Sequence, residues 1–290
     1  MIMMRSIAAA LAMGLFASGC SLFQKKEEPQ QNSQSGESAE QGGGGGIDPT
    51  QFVQAQSPVG WAAGKAKTGW SATQKMDSSG QVMNTSWAVV GESGDSWLVE
   101  HQNPAMAAMA KGYIMGLTVR KEDGKVTKAV LGKPGEEGKP IKINENPPVE
   151  GQKGPEPTNE DVKIKLGTFP AKKYVNKFAG ADGKEQTHTT WMGNGGELNN
   201  VLLKAEGPGG NYELSEMPEE SQVKVGDSSL SVTKYAYSNG LVQWVATGSP
   251  VLAVFFPYGE DGKSMFKMST QGMTMEITEV SEAAKPQLKW

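Results

Sequence analysis

From Ile47 onward, runs in which apolar and polar residues alternate with a period of two recur along the chain, and dipeptides suited to tight turns separate them. Ser79-Gly80, Asp123-Gly124, Asp182-Gly183, Asn239-Gly240 and Asp261-Gly262 provide this punctuation. Period two puts successive side chains on opposite faces of a strand. The dipeptides favour hairpins, because both central residues of a type I′ turn need positive φ. "LTVRKEDGKVTKAVLG" (Leu117–Gly132) therefore reads as a hairpin. "VLAVFF" (Val251–Phe256) is continuously apolar and predicts a strand buried on both faces. Helix signals are few. "NPAMAAMAKG" offers Asn103 as N-cap, Pro104 in the first turn and Gly112 as a stop, and "DPTQFVQAQ" offers a similar start at Asp48 with Pro49.

The second half repeats itself. "VKIKLGTFPAKKY" (Val162–Tyr174) aligns with "VKVGDSSLSVTKY" (Val223–Tyr235) at an offset of 61 (223 minus 162). A glycine turn follows each copy, then a strand bearing Trp191 or Trp244, then a closing strand, "YELSEM" (Tyr212–Met217) or "MEITEV" (Met275–Val280). A weaker third copy is expected in the first half, where Trp87 follows Gly80. Between Asn144 and Glu160 lie four prolines and two glycines, which exclude helix and central strand and predict a linker. The expected fold is mainly β: curved antiparallel meander sheets in two lobes, 47–143 and 161–290, with one or two short helices. The second lobe would hold its repeats at about 162–217 and 223–280.

The amino-terminal segment changes the picture from fold to location. Arg5 is the one charge before the apolar run Ile7–Phe16, and Ala17, Ser18 and Gly19 precede Cys20, the sole cysteine. The run is too short to span a bilayer but suits a secretory signal. Together these residues resemble the lipobox of bacterial lipoprotein signal peptides, with Ala17 where leucine is commoner. The resemblance implies that residues 1–19 are a cleaved signal. It also implies that Cys20 carries a diacylglyceryl group and usually a further acyl chain such as palmitate, which anchors the protein in the cell envelope. Ser21 after the cysteine implies the outer membrane, on its periplasmic or its surface side. A lipidated Cys20 leaves no thiol for disulfides, nucleophilic catalysis or zinc. Residues 20–46 are rich in Gln, Glu, Ser and Lys and end in five glycines. That composition predicts a disordered tether with a reach of about 25–30 Å.

A second resemblance rests on "VKIKLGTFPAKKY" followed by "THTTWMGNGGELNNVLLKAE". These segments resemble exported proteins of the lipoprotein-carrier type, over about Asp161 to Glu216. The resemblance implies a curved half-barrel sheet with an apolar cavity for acyl chains. The long helices that lid such a cavity have no counterpart in this sequence.

Candidate chemistry is sparse. With 28 Lys and Arg against 32 Asp and Glu, interspersed, no basic stripe favours nucleic acid. His101 and His188 sit among polar neighbours with no frame for catalysis, and read as polar surface residues. "GNGG" (Gly193–Gly196) reads as a turn, because a strand pattern follows it where a phosphate cradle needs a helix. Fifteen methionines occur, with Met265, Met268, Met273 and Met275 within eleven residues, and Met106 and Met109 forming another pair. Thioethers suit Cu(I). Yet Met273, Met275 and Ile277 alternate as the inner face of a strand does, so the reading is core packing or a pliable apolar pocket, with no metal site assigned. Of seven tryptophans, Trp87, Trp191 and Trp244 recur at equivalent points of the repeat and read as core plugs, while Trp61 and Trp70, with fewer apolar neighbours, leave a binding or rim role open.

The expectation is a lipid-anchored, non-catalytic envelope protein without a cofactor, binding an apolar ligand such as a lipid acyl chain on a curved sheet. Trp87, Trp191, Trp244, Met265, Met268, Met273 and Met275 would line the site. The alternative is a structural or protein-interaction module with filled cores, docking another envelope protein.

Overall fold

The computed structural model describes residues 48–51, 53–55, 61–103, 110–144, 155–179, 183–226, 228–258 and 262–290. The expected leader, Cys20, the expected tether, Met106 and Met109 with the body of the helix expected after Asn103, most of the expected 144–160 linker, Asp182 and Asp261 lie outside them.

The architecture is three consecutive antiparallel meanders. The first comprises β2 (Ser71–Ser78), β3 (Gln81–Ser93), β4 (Ser96–Gln102), β5 (Ile114–Arg120) and β6 (Val126–Gly132). It is flanked by three two-residue strands, β1 (Gln54–Ala55), β7 (Lys139–Pro140) and β8 (Lys142–Ile143). The second comprises β9 (Thr158–Ile164), β10 (Gly167–Ala179), β11 (Glu185–Gly193), β12 (Leu202–Glu206) and β13 (Tyr212–Glu213). The third comprises β14 (Glu219–Val225), β15 (Ser228–Ala236), β16 (Val242–Thr247), β17 (Ser264–Thr270) and β18 (Met273–Ser281).

The sequence repeat is a structural repeat, and its offset of 61 holds to the residue. Ile164 pairs with Gly167 as Val225 pairs with Ser228, and Thr158 pairs with Lys173 as Glu219 pairs with Lys234. Both hairpins leave two residues between their last ladder pairs, and equal loop length sets equal register. β2–β6 is likewise a five-stranded antiparallel meander, but Gly80 joins its first and second strands, whereas Gly183 and Gly240 join the second and third of theirs, so the expected third copy does not hold on the residues that suggested it. Trp191 and Trp244 occupy the third strand of their meanders, whereas Trp87 lies in the second strand of its own. Trp87 is therefore not their equivalent. The hairpin expected at Leu117–Gly132 forms as β5 and β6, and Ser79 and Gly80 both adopt positive φ in the turn between β2 and β3.

The two expected lobes share a sheet. β18 pairs antiparallel with β2, so the third and first meanders form one eleven-stranded open sheet in the order β14-β15-β16-β17-β18-β2-β3-β4-β5-β6-β7. The second meander forms a separate five-stranded sheet, β13-β12-β11-β10-β9. Its apolar side chains, including Val162, Ile164, Trp191 and Leu203, pack with Tyr235, Tyr237, Val245 and Met268 of the large sheet to make one core. A larger core is built from the remainder of the eleven-stranded sheet and the segment around Trp61.

Val251–Phe256 corrects the sequence reading. Pro250–Phe255 is an α-helix, α1, and not a strand. Gly248, at φ +80°, ends β16, and the Ser249 side chain accepts a hydrogen bond from the Leu252 N–H while Pro250 supplies a preset first-turn φ. An apolar run carries no period of its own, so the cap decides. Val251, Leu252, Val254 and Phe255 then drop into the larger core. Ser249→Ala should cost about 1 kcal/mol, the usual value of an N-cap, in a urea titration, and Ser249→Asp should retain most of it. At Asp48 the expected start is realised as one 3₁₀ turn, Pro49–Gln51, with the Asp48 carboxylate accepting from the Thr50 N–H and hydroxyl.

The chain closes on itself through its last residues. Residues 287–290 run back over β4–β6, where Glu100, a buried carboxylate on β4, accepts the backbone N–H groups of Gln287 and Leu288 and the Trp290 indole. Leu288 packs with Ile114 and Val130. Glycine makes the seat: a Cβ at Gly116 would stand 2.9 Å from the Trp290 ring and 3.0 Å from Leu288 Cδ1.

Candidate functional site

The seven expected site residues are divided between two cores. Trp87 and Trp244 are half-buried against the larger core, while Trp191 and Met268 are buried in the smaller one, with Met265, Met273 and Met275 packed half-buried against it. Five of the seven thus belong to the smaller core and two to the larger. A cleft of about 350 Å³ lies over β14–β16, but its lining is polar: Glu220, Ser221, Gln222, Ser231, Thr233 and Thr247, with Val232.

Each tryptophan is fixed by specific partners. Trp191 donates its indole N–H to Glu160 at 2.6 Å, and the ammonium groups of Lys173 and Lys204 stand 5.3 and 5.1 Å from its ring. That indole, and then Lys173, hold the Glu160 carboxyl below its ordinary pKa. Lys267 stands 5.3 Å from the Trp244 ring, the equivalent of Lys204, because both lysines lie directly across the ladder from the tryptophan. Cation–π contacts of this kind rigidify a packed indole and leave its faces covered.

His101 is buried, which corrects its reading as a surface residue. It lies opposite Trp87 in the β3–β4 ladder, and the two rings stack at 3.5 Å between centroids. Nδ1 is 2.9 Å from the Ser86 carbonyl oxygen, so Nδ1 carries the proton, and Nε2 accepts from the Asn103 amide at 3.1 Å. Burial lowers its pKa to about 4, against the opposing pull of the Ser86 carbonyl. A neutral imidazole with both nitrogens engaged and a ring face covered is a packing element. Trp61 and Trp70, for which a rim role was left open, are also buried; Trp61 meets Trp87 and Phe255 edge-on at 5.4 and 4.9 Å. His188 is half-buried in β11, its pKa lowered by burial.

Other features join what the sequence reading left apart. Tyr235 and Tyr237 lie in the smaller core with Tyr212 and Tyr258 packed against it, and burial raises the pKa of all four hydroxyls and keeps them neutral. The Tyr258 hydroxyl donates to Gln243. Met76 and Met83, not singled out from the sequence, pair with each other, and Met76 also pairs with Met275, which pairs with Met268. A signal existed: in "MDSSGQVM" and "MSTQGMTM" the two methionines sit three residues outside a two-residue turn, which sets them opposite one another across the hairpin.

Among the described residues, no three His, Cys, Asp or Glu side chains cluster to hold a metal, and no helix is long and apolar enough to cross a membrane. No family model, curated protein or solved structure matches the chain.

Proposed function

We propose that this protein is a non-catalytic, lipid-anchored envelope module that acts by docking another protein, with its apolar side chains spent on filled cores. The observation that carries this reading is the division of the seven Trp and Met side chains between two separate cores, where a carrier needs them around one cavity. The polar lining of the β14–β16 cleft points the same way, since an acyl chain gains nothing there. The lipobox-like stretch at Cys20 supports membrane attachment, and a tether of the length of residues 20–46 would let the folded part stand off the bilayer.

Native mass spectrometry of the full chain carrying Cys20→Ser, with organic extraction of whatever co-purifies, tests this reading. A clean protein mass, unchanged after incubation with phospholipid vesicles, is the expected result. A stoichiometric lipid adduct would overturn the docking module in favour of an apolar-ligand carrier.

A further inference from the structure

Two hairpins of one design lie side by side. In β2–β3 the sequence Met76-Asp77-Ser78-Ser79-Gly80-Gln81-Val82-Met83 closes on Gly80 at φ +85°. In β17–β18 the sequence Met268-Ser269-Thr270-Gln271-Gly272-Met273-Thr274-Met275 closes on Gly272 at φ +88°. The tips are in contact, since the Ser79 N–H donates to the Gly272 carbonyl at 3.0 Å. Because β18 pairs with β2, the methionines of both hairpins fall into one row: Met268 opposite Met275, Met275 opposite Met76, Met76 opposite Met83. Directly opposed residues share a face, with Cβ atoms about 4.5–5.5 Å apart. Methionine is 15 of 290 residues, so four consecutive cross-strand neighbours of this one type are not expected from composition.

The row is more than core. Met268 is buried, but Met275, Met76 and Met83 are only half-buried, so the row runs from the core toward the surface at β3. On the same face, Met273 adds a fifth thioether, and the adjoining positions Ser78, Gln81, Gln74, Thr85 and Ile277 carry no charge. A carboxylate there would suit a hard divalent cation; its absence among these neighbours, with thioethers supplied in series, selects a soft monovalent one. Each side chain has three rotatable bonds, so two or three neighbouring sulfurs can turn onto one ion without moving the backbone.

We propose that the Met268–Met275–Met76–Met83 row is a thioether site for a soft monovalent metal ion, of the Cu(I) or Ag(I) class. Binding is coordination alone: the sulfur lone pairs replace the ion's solvent ligands, and no electron or proton is transferred. The site is independent of whether the protein docks a partner.

The probe is Ag(I), which needs no reductant, presented to the full chain with Cys20→Ser so that thioethers are the sole sulfur ligands. Native mass spectrometry and competition titration should find one ion held per chain. The variant M76L/M83L, which keeps side-chain volume, should bind at least about tenfold more weakly, since even indirect changes around a metal cost about 10–100-fold. M217L, at an exposed methionine outside the row, should bind as the parent does. Circular dichroism and urea midpoints of the variants establish that they fold. If M76L/M83L is too unstable, M275L, at the centre of the row, gives the same test. Failure to retain silver, or equal retention by the folded row variants, would overturn the proposal and leave the methionines as packing.

Discussion

Glu100→Ala should destabilise the folded chain by about 3–5 kcal/mol, because hydrogen bonds to a charged group contribute about 1.5–3 kcal/mol each and an orphaned buried N–H costs about 1–3 kcal/mol. Glu100 accepts from Gln287 N at 2.8 and 3.0 Å, from Leu288 N at 2.8 Å and from the Trp290 indole at 3.4 Å. Removing the carboxylate leaves the buried Leu288 N–H without its acceptor and frees the segment that covers Ile114 and Val130. The bridge from Glu137 to Lys289 and the Gly135 N–H to the Gln287 carbonyl would remain, so the segment should loosen before the sheet melts. Urea titration measures the loss. Hydrogen exchange should show Gln287 and Leu288 unprotected while β4 and β5 stay protected. Glu100→Gln keeps one acceptor oxygen and should recover part of the stability. A Glu100→Ala midpoint matching that of the parent would show that the closing segment is held without Glu100, by its packing and its remaining backbone bonds.

Acid should weaken the fold through His101. Its folded pKa is about 4, against an ordinary 6.5, because burial beside Trp87 disfavours the imidazolium. The unfolded chain therefore binds a proton that the folded chain refuses between those values. The resulting stability is complete above pH 6.5 and is lost as pH falls toward 4. The difference of 6.5 minus 4 corresponds to about 3 kcal/mol at about 1.4 kcal/mol per unit. Carboxylates also titrate toward the lower end of this window, so the decisive quantity is the difference from His101→Gln, which cannot titrate. Unfolding free energies at pH 7 and pH 4 should fall further for the parent than for the variant. Parallel pH dependence in the two proteins would falsify the assignment of a buried, neutral His101.

Much of this molecule was legible because it is local. Ser79-Gly80 names a turn, the turn sets the β2–β3 register, and that register alone places Met76 opposite Met83. The offset of 61 predicts matched hairpins, and the ladders obey it to the residue. Val251–Phe256 was misread because its decisive residues, Gly248, Ser249 and Pro250, lie before the apolar run. The burial of His101, Trp61 and Trp70 was hidden for another reason. Polar or sparse neighbours in sequence say nothing about what another strand lays over a ring, and it is the partner that buries it: Trp87 over His101, Phe255 against Trp61.

The chain alone determined the meander architecture, the turn positions and the repeat, since each follows from side-chain period and backbone preference over a few residues. Only the tertiary structure decided that β18 meets β2, that the tryptophans part between two cores, and that two methionine hairpins become one row. The physical reason is range. Residues 71–78 and 273–281 pair across about two hundred positions of chain, and no local pattern encodes which of several similar strand edges another will choose. That choice is made by the summed burial of side chains on both strands, a quantity that exists only once the sheet is assembled.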